Sequence, residues 1–190
     1  MTVLWHPELP EGFKEFCAQV SIDTSSVQYE NDSLMRKVRG CDDYGIACCV
    51  SYQAIGKAIQ FFGARANLAK ALLLAINEGR CENTGTLMVE GIKPLSSDVL
   101  DFDEVMENYK KVLHEVARVY NETMNIIHFM HDKYDYERSQ MAFIDTNPSI
   151  NLAYGVAGLS IVADSLSAIK HAKVTARRNA DGLTEGFDIE

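Results

Sequence analysis

The chain has 190 residues, of which 47% are hydrophobic, so it can bury a sizeable core, and its length predicts one domain. Its formal net charge of −9 argues against nucleic acid and anionic membranes as partners, because such polyanions bind basic protein faces. No stretch approaches the roughly 20 apolar residues that span a bilayer, and residues 1–7 lack a secretory signal pattern, so we expect a cytoplasmic protein.

The first part of the chain is rich in polar and turn-forming residues and predicts two short strands. Residues 18–22 alternate between apolar and polar side chains, as in a half-buried strand, and residues 46–50 suit a fully buried strand. From 54 to 76, apolar residues recur every three or four positions, which predicts a helix interrupted near Gly63 and ended by residues 77–79.

The second part of the chain is predicted to be mainly helical. Residues 81–97 contain glycine and proline breakers and predict a connecting loop or hairpin. Asp101 is a suitable N-cap, with a glutamate three positions later, for one long amphipathic helix over residues 102–131. Further helices are expected over residues 136–143 and 159–172, followed by a polar, acidic tail. The apolar stripe of the longest helix is extensive for so small a chain, and it can serve a neighbouring domain as easily as this one.

Five cysteines in a chain without a secretory signal indicate reduced thiols rather than a disulfide framework, since their number is odd. Cys17, Cys41 and Cys81 are interpreted as packing residues, because cysteine behaves as a small hydrophobe and is often buried. The remaining two, Cys48 and Cys49, are adjacent on an apolar segment and need a separate account.

The pair Cys48 and Cys49 has several interpretations. Metal binding is disfavoured, because neighbouring strand residues point to opposite faces, whereas metal sites use spacings that let two sulfurs converge. From the residues alone, core packing is the simplest interpretation, and hydrogen-atom transfer between two divergent thiols is the alternative. Ionic thiol chemistry requires a nearby cation, whereas the neighbours include Asp42 and Asp43. Radical chemistry requires only a site shielded from water and oxygen.

Arg65 is a second candidate site residue, 16 positions after Cys49 and three positions after the aromatic pair Phe61 and Phe62. A guanidinium can hold a small carboxylate through two parallel hydrogen bonds, and an adjacent aromatic ring can close such a pocket. The alternative for Arg65 is a surface ion pair on a helix.

Two further motifs are assigned no chemistry. His128 and His131 are three positions apart but have no obvious third ligand, so helix packing or capping is favoured over a metal site. The serines near His171 lack the strand-to-helix context of a hydrolase nucleophile.

The whole chain resembles the central part of the pyruvate formate-lyases, which are glycyl radical enzymes. The cysteine pair carries the resemblance, together with residues 20–26, 61–67, 125–128 and 163–170. By this resemblance, Cys48 attacks the pyruvate carbonyl and carries the acetyl group, and Cys49 relays the radical. Arg65 resembles one of the arginines that bind the pyruvate carboxylate, with Phe62 beside it as a pocket wall.

The reaction that the resemblance implies converts pyruvate and coenzyme A into acetyl-coenzyme A and formate by a thiyl radical mechanism. Coenzyme A is then a co-substrate, and the radical is stored on a glycine outside this chain. A radical SAM activating enzyme and a homodimer are also implied, with no bound metal or nucleotide.

Two departures from the family pattern bear on these expectations. Tyr52 and Gln53 stand where the family usually has a small residue or proline and then methionine, which alters packing near the cysteine pair. The family's Arg-Val-Ser-Gly-Tyr segment and its N-terminal coenzyme A region have no counterpart here. We therefore expect residues 1–190 to be the central part of a catalytic domain, inactive without the remainder of the parent chain.

The fold class implied by the resemblance is α/β, because family members form a ten-stranded barrel surrounded by helices, with the cysteines on an internal loop. This chain is expected to be a helix-rich piece of that barrel, including the cysteine loop, with exposed apolar surface. The functional alternatives are a 2-ketobutyrate formate-lyase, which differs by one methylene in its substrate, and a non-catalytic scaffold protein derived from the same fold. A glycyl radical dehydratase is disfavoured, because it uses one cysteine at this position.

Overall fold

The computed structural model describes residues 1–47, 51–136 and 149–190. Their contacts divide the chain into two compact units: residues 1–61 with 133–152, and residues 62–132 with 153–190. Helices and strands occur in both units, so the fold is α/β, as expected. None of the helices among these residues is both long enough and apolar enough to cross a membrane.

The first unit contains two small sheets and two helices. Its elements are β1 (Thr2–Trp5), α1 (Glu11–Thr24), β2 (Gln28–Asn31), α2 (Asp32–Arg39), β3 (Tyr44–Ala47), β4 (Ser51–Ala54) and the beginning of β5 (Ala58–Asn67). Strands β1 and β2 are parallel, with Thr2 opposite Gln28, and α1 connects them. The Tyr29 hydroxyl donates a hydrogen bond of 2.9 Å to the carbonyl of Cys17, which joins β2 to α1.

The strand expected over residues 18–22 is wrong, because these residues form the last part of α1. Five alternating residues do not distinguish the two periods, and Phe13 and Cys17 precede them at helical spacing. The hydroxyl of Ser21 donates to the carbonyl of Cys17 four residues earlier, which is compatible with a helix. Cys17 is the one residue of α1 whose side chain is buried.

The first half of the helix expected over residues 54–76 is also wrong. Residues 58–67 form β5, which pairs with β6 (Ser149–Ala157), a strand far along the chain. The helix α3 (Leu68–Ile76) begins only where the side chain of Asn67 accepts a hydrogen bond of 3.1 Å from the N–H of Lys70. The expected end at residues 77–79 is confirmed, since Asn77 is the C-cap.

The second unit is built on three helices and a hairpin. After α3 come α4 (Phe102–His131), α5 (Leu159–His171), β7 (Val174–Arg178) and β8 (Thr184–Ile189). Helix α3 packs against α4 and α5, and β7 pairs with β8 in antiparallel orientation. The buried core of this unit includes Leu72, Ala75, Ile76, Val105, Tyr109, Val112, Val162 and Ile169.

The expected helices over residues 102–131 and 159–172 are confirmed. Asp101 caps α4 as expected, accepting hydrogen bonds from the N–H groups of Asp103 (2.9 Å) and Glu104 (3.0 Å). The predicted helix over residues 136–143 lies outside the described residues, except for Tyr136, which ends a π-helical turn at Asp132–Tyr136.

The apolar side chains of α4 that face the core are buried, whereas others in its last turns are exposed. Val105, Val112 and Met124 are completely buried, whereas Ile126 is 64% and Phe129 is 61% exposed. The expectation of exposed apolar surface is therefore confirmed. Such surface on a long helix is typical of a face that another part of a protein covers.

The polar, acidic tail, for which no helix or strand was predicted, forms the hairpin of β7 and β8. Asn77 holds this hairpin against the end of α3. Its side-chain oxygen accepts bonds from the N–H (3.0 Å) and the hydroxyl (2.7 Å) of Thr184, and both residues are buried. The guanidinium of Arg178 adds a hydrogen bond of 3.2 Å to the carbonyl of Ile76.

We predict that Asn77→Ala weakens the hairpin, because it leaves the buried N–H of Thr184 without an acceptor. The loss is about 1–3 kcal/mol in the free energy of local opening. Hydrogen exchange of peptides from residues 174–189 measures it. Asn83→Ala is the control, since the side-chain amide of Asn83 is exposed and donates to its neighbour Glu82 rather than to the hairpin. Equal exchange in both variants would contradict the prediction.

Candidate active site

The hairpin formed by β3 and β4 flanks the cysteine pair. The two strands are antiparallel, and their register places Ala47 opposite Ser51. Residues 48–50, including Cys48 and Cys49, connect these two positions and lie outside the described residues. The strand predicted over residues 46–50 is therefore confirmed only for 46–47. The pairing holds the two ends of the cysteine segment next to each other.

A buried carboxylate anchors this hairpin to α2. Asp32 accepts a hydrogen bond of 2.7 Å from the hydroxyl of Tyr44 and bonds of 3.0 Å from the guanidinium of Arg36. The bond from Tyr44 contributes most to lowering the pKa of Asp32, so its carboxyl stays ionised. Burial, with the hydrogen bond to Asp32, raises the pKa of Tyr44 to about 12, so its hydroxyl remains a donor.

Tyr52, which departs from the family pattern, packs within the same hairpin. Its ring stacks on the ring of Tyr44 with centroids 5.0 Å apart, and the guanidinium of Arg39 lies 5.2 Å from its centroid. The next residue, Gln53, donates a hydrogen bond of 2.9 Å to the carbonyl of Ala58. The hairpin therefore accommodates both departures with specific contacts and an unbroken register.

Arg65 lies in the second unit, on β5, and lines a groove of about 250 Å³. We call it the Arg65 groove. Its wall consists of Ala64, Arg65, Ala66, Leu74, Met88, Val89, Glu115, Val116, Val119 and Tyr120. Most of these side chains are apolar. The alternative for Arg65 was a surface position on a helix. Its helical part is wrong, because Arg65 lies on β5. The side chain is exposed.

The second charged residue of the Arg65 groove is Glu115, and an ion pair compensates its charge. Arg118 bonds to Glu115 through its Nε atom at 2.9 Å, and it also bonds to Glu122 at 2.7 Å. The hydrogen bond from Arg118 lowers the pKa of Glu115, so the carboxylate is ionised and paired. The groove thus combines the Arg65 guanidinium, a paired carboxylate and mostly apolar walls. A guanidinium suits a small carboxylate, and the apolar walls suit a short apolar part.

Phe62 also lies on β5, three positions before Arg65, and its side chain is outside the described residues. The strands that flank the cysteine pair belong to the first unit and Arg65 belongs to the second. The proximity of the thiols to Arg65 stays a prediction.

Cys81, which was interpreted from the sequence as a packing residue, lies in a polar environment. The hydroxyl of Thr84 and the ammonium of Lys70 both bond to its sulfur, with a Lys70 Nζ to Sγ distance of 3.1 Å. With the backbone N–H groups of Asn83 and Thr84, they lower the pKa of Cys81 to about 7. The lysine is 11 residues away in sequence, on α3, so no local pattern indicated this environment.

The two histidines at the end of α4 do not form a metal site with other ligands among the residues that the structure describes, because no three metal-ligating side chains converge there. His128 and His131 lie in the last turn, where the helix dipole favours positive charge.

The chain belongs to the family described as Pyruvate formate lyase-like, which it matches over residues 1–190. It is similar to "Formate acetyltransferase 1" of Escherichia coli (strain K12), with 54% identity over 190 residues. The match covers 100% of this chain and 25% of that relative, so the chain spans about a quarter of its length. The family resemblance inferred from the cysteine pair is thereby confirmed.

We predict that Cys81 reacts with iodoacetamide faster at pH 7 than an ordinary thiol does. A pKa near 7 leaves about half of the thiol ionised at that pH, and the thiolate is the nucleophile. Lys70→Met removes a donor to the sulfur, so the pKa rises and the rate at pH 7 falls. Mass spectrometry of the peptide that contains Cys81 measures the rate between pH 6 and 9.

Lys93→Met is the matched control for this experiment. Lys93 is an exposed lysine that pairs with Glu107, so its removal leaves the pH profile of Cys81 unchanged. A profile that does not respond to Lys70→Met would show that the ammonium has no effect on the thiol.

Proposed function

We propose that this chain is the part of a formate C-acetyltransferase that carries the thiol pair and one substrate arginine. The reaction is the conversion of pyruvate and coenzyme A into acetyl-coenzyme A and formate. The observation that carries the proposal is the family match along the whole chain, with 54% identity to a formate acetyltransferase. The Cys48–Cys49 pair between two paired strands supports it.

Cys48 is proposed as the covalent catalyst. Its thiyl form adds to the carbonyl carbon of pyruvate, and the bond from that carbon to the carboxylate then breaks homolytically. This leaves an acetyl thioester on Cys48 and a one-carbon radical anion, which takes a hydrogen atom from a thiol and becomes formate. The acetyl group moves to the thiol of coenzyme A, and Cys48 recovers its hydrogen.

Cys49 is proposed to relay the radical to Cys48. Side chains of adjacent residues in extended backbone point in opposite directions, so one sulfur can face the substrate while the other faces the radical source. A glycyl radical on another part of the parent protein supplies the radical equivalent. Neither step requires a thiolate, which agrees with a segment in which two aspartates, Asp42 and Asp43, precede the cysteines in the sequence.

Arg65 is proposed to bind the pyruvate carboxylate, and Phe62 to form a wall of the same pocket. Two parallel hydrogen bonds from a guanidinium orient a planar carboxylate better than a lysine ammonium does. The apolar side chains Val116 and Val119 of the Arg65 groove provide space for a small apolar group. The groove supports this role by its chemistry, while its relation to the thiols is part of the proposal.

The barrel, the activating enzyme and the oligomeric state are proposed from family membership. The chain contributes the cysteine loop and a few strands to a ten-stranded barrel, as the central part of a longer catalytic domain. A radical SAM enzyme activates the parent protein, which is a homodimer in the cytoplasm. A preference for 2-ketobutyrate stays an alternative, because one methylene changes binding by only about 1–3 kcal/mol. The scaffold alternative requires neither thiol.

A chimera tests the thiol roles, in which this chain replaces the matching 190 residues of the Escherichia coli relative. We expect the activated chimera to produce formate from pyruvate under anaerobic conditions. Cys48→Ser and Cys49→Ser each abolish formate production, with a loss of at least about 1,000-fold, because a hydroxyl supports neither the radical nor the thioester.

Cys41→Ser is the control for these substitutions, since Cys41 lies in the same unit and contacts the carbonyl of Asp43. It is expected to retain activity. Formate production by either thiol variant at the level of Cys41→Ser would overturn the proposed mechanism. Rates with 2-ketobutyrate in the same chimera decide between the two substrates.

Arg65→Lys in the chimera is predicted to raise the KM for pyruvate by about 10-fold to 100-fold, because one charge-assisted hydrogen bond contributes about 1.5–3 kcal/mol. The KM for coenzyme A stays unchanged. Arg177→Lys is the control, an exposed strand arginine that pairs with Asp188. Equal pyruvate KM values in the two variants would rule out the carboxylate role of Arg65.

A further inference from the structure

The hydroxyl of Tyr120 joins helix α4 to both strands of the β5–β6 pair. It donates a hydrogen bond to the carbonyl of Ala64 on β5, and it accepts one of 3.0 Å from the N–H of Gly155 on β6. A single hydroxyl can make both bonds at once, since it has one donor and two acceptor positions. A phenylalanine at this position could make neither.

The neighbouring residues keep this hydroxyl in place. The ring of Tyr154 meets the ring of Tyr120 edge to face, with centroids 5.1 Å apart and an interplanar angle of 72°. The hydroxyl of Tyr154 donates a bond of 2.9 Å to the side chain of Asn121, the next residue on α4. Consecutive residues of the helix are therefore attached to the strand pair.

The bond to Ala64 acts directly on Arg65. The carbonyl of Ala64 and the N–H of Arg65 belong to one planar peptide group, so fixing that carbonyl restricts the direction in which the Arg65 side chain leaves the backbone. Tyr120 also lines the Arg65 groove. Tyr120 therefore contacts β5 at Ala64, the residue immediately before Arg65.

One wall of the Arg65 groove comes from α4, the helix that carries Tyr120. Glu115, Val116, Val119 and Tyr120 all lie on α4 and line the groove. Val112, one turn earlier, is completely buried in the core, so this part of α4 is held by packing as well. The distance between the guanidinium and the apolar wall then depends on how α4 is attached to β5.

We propose that Tyr120 is a positioning residue that sets Arg65 against the α4 wall of the groove and so tunes binding of the substrate carboxylate. This inference rests on the proposed role of Arg65. Tyr120 acts through the Ala64 peptide and takes no part in the thiol chemistry. Two parallel hydrogen bonds from a guanidinium to a carboxylate depend on the position of the guanidinium, so a hydroxyl that fixes the neighbouring peptide has a measurable effect on binding.

Tyr120→Phe in the chimera tests the inference, with Tyr109→Phe as the matched control. Tyr109 lies on the same helix, and its hydroxyl bonds to the carbonyl of Leu68 at 3.4 Å without lining the groove. Tyr120→Phe is expected to raise the KM for pyruvate and the inhibition constant of oxamate, a pyruvate isostere, by about 10-fold. The turnover number and the KM for coenzyme A stay within about twofold, and Tyr109→Phe changes none of the four.

Hydrogen exchange provides a second measurement that does not depend on activity. Tyr120→Phe is expected to accelerate exchange in the peptide covering residues 64–67, because the strand loses its attachment to α4, whereas Tyr109→Phe does not. Unchanged exchange overturns the inference. A uniform fall in turnover, or equal KM increases for both substrates, indicates general loss of structure and also overturns it.

The experiment separates this inference from the proposed function. If Arg65→Lys raises the KM for pyruvate and Tyr120→Phe does not, the arginine role stands and the positioning role of Tyr120 is wrong. If Arg65→Lys has no effect, the carboxylate role fails. In that case, faster exchange with Tyr120→Phe would show only that Tyr120 attaches α4 to β5. The inference that Tyr120 tunes carboxylate binding would then be wrong as well.

Discussion

The second unit depends on the packing of α4 against α3, because the same helix closes the core and forms one wall of the Arg65 groove. Val105 and Val112 are completely buried in that contact, and removal of such apolar area from water is the main stabilising contribution. On the exposed side of the helix, Arg118 pairs with Glu115 and Glu122. A groove wall that is also a core helix has little freedom to move, which suits a binding surface.

The first unit uses a different device to hold the segment that carries the thiols. The carboxylate of Asp32 on α2 is buried, and it accepts hydrogen bonds from Tyr44 and Arg36. Tyr44 lies on β3 and also stacks on Tyr52 of β4. One polar contact therefore joins the hairpin to α2, and one aromatic contact supports the pairing of its two strands.

A long apolar repeat within one helix was predictable, whereas the five alternating residues at 18–22 and the pairing of distant strands were not. The apolar repeat and the Asp101 cap defined α4 to the residue, since every contact that makes a helix lies within a few positions. Strand β5 was mistaken for a helix because its partner β6 begins more than 80 residues later. The C-terminal hairpin was not predicted, although its two strands are neighbours in sequence. Part of what holds it is distant, since Thr184 bonds to Asn77, which is 107 residues away.

The sequence by itself determined the family, because adjacent cysteines and the run 61–67 are local patterns that survive without knowledge of the fold. It also determined the chemical types available: two thiols, a guanidinium and an aromatic pair. The tertiary structure alone decided that Arg65 lies on a strand, that α4 supplies the groove around it, and that Tyr120 attaches that helix to the neighbouring peptide. These are long-range contacts, which residue spacing along one segment does not encode.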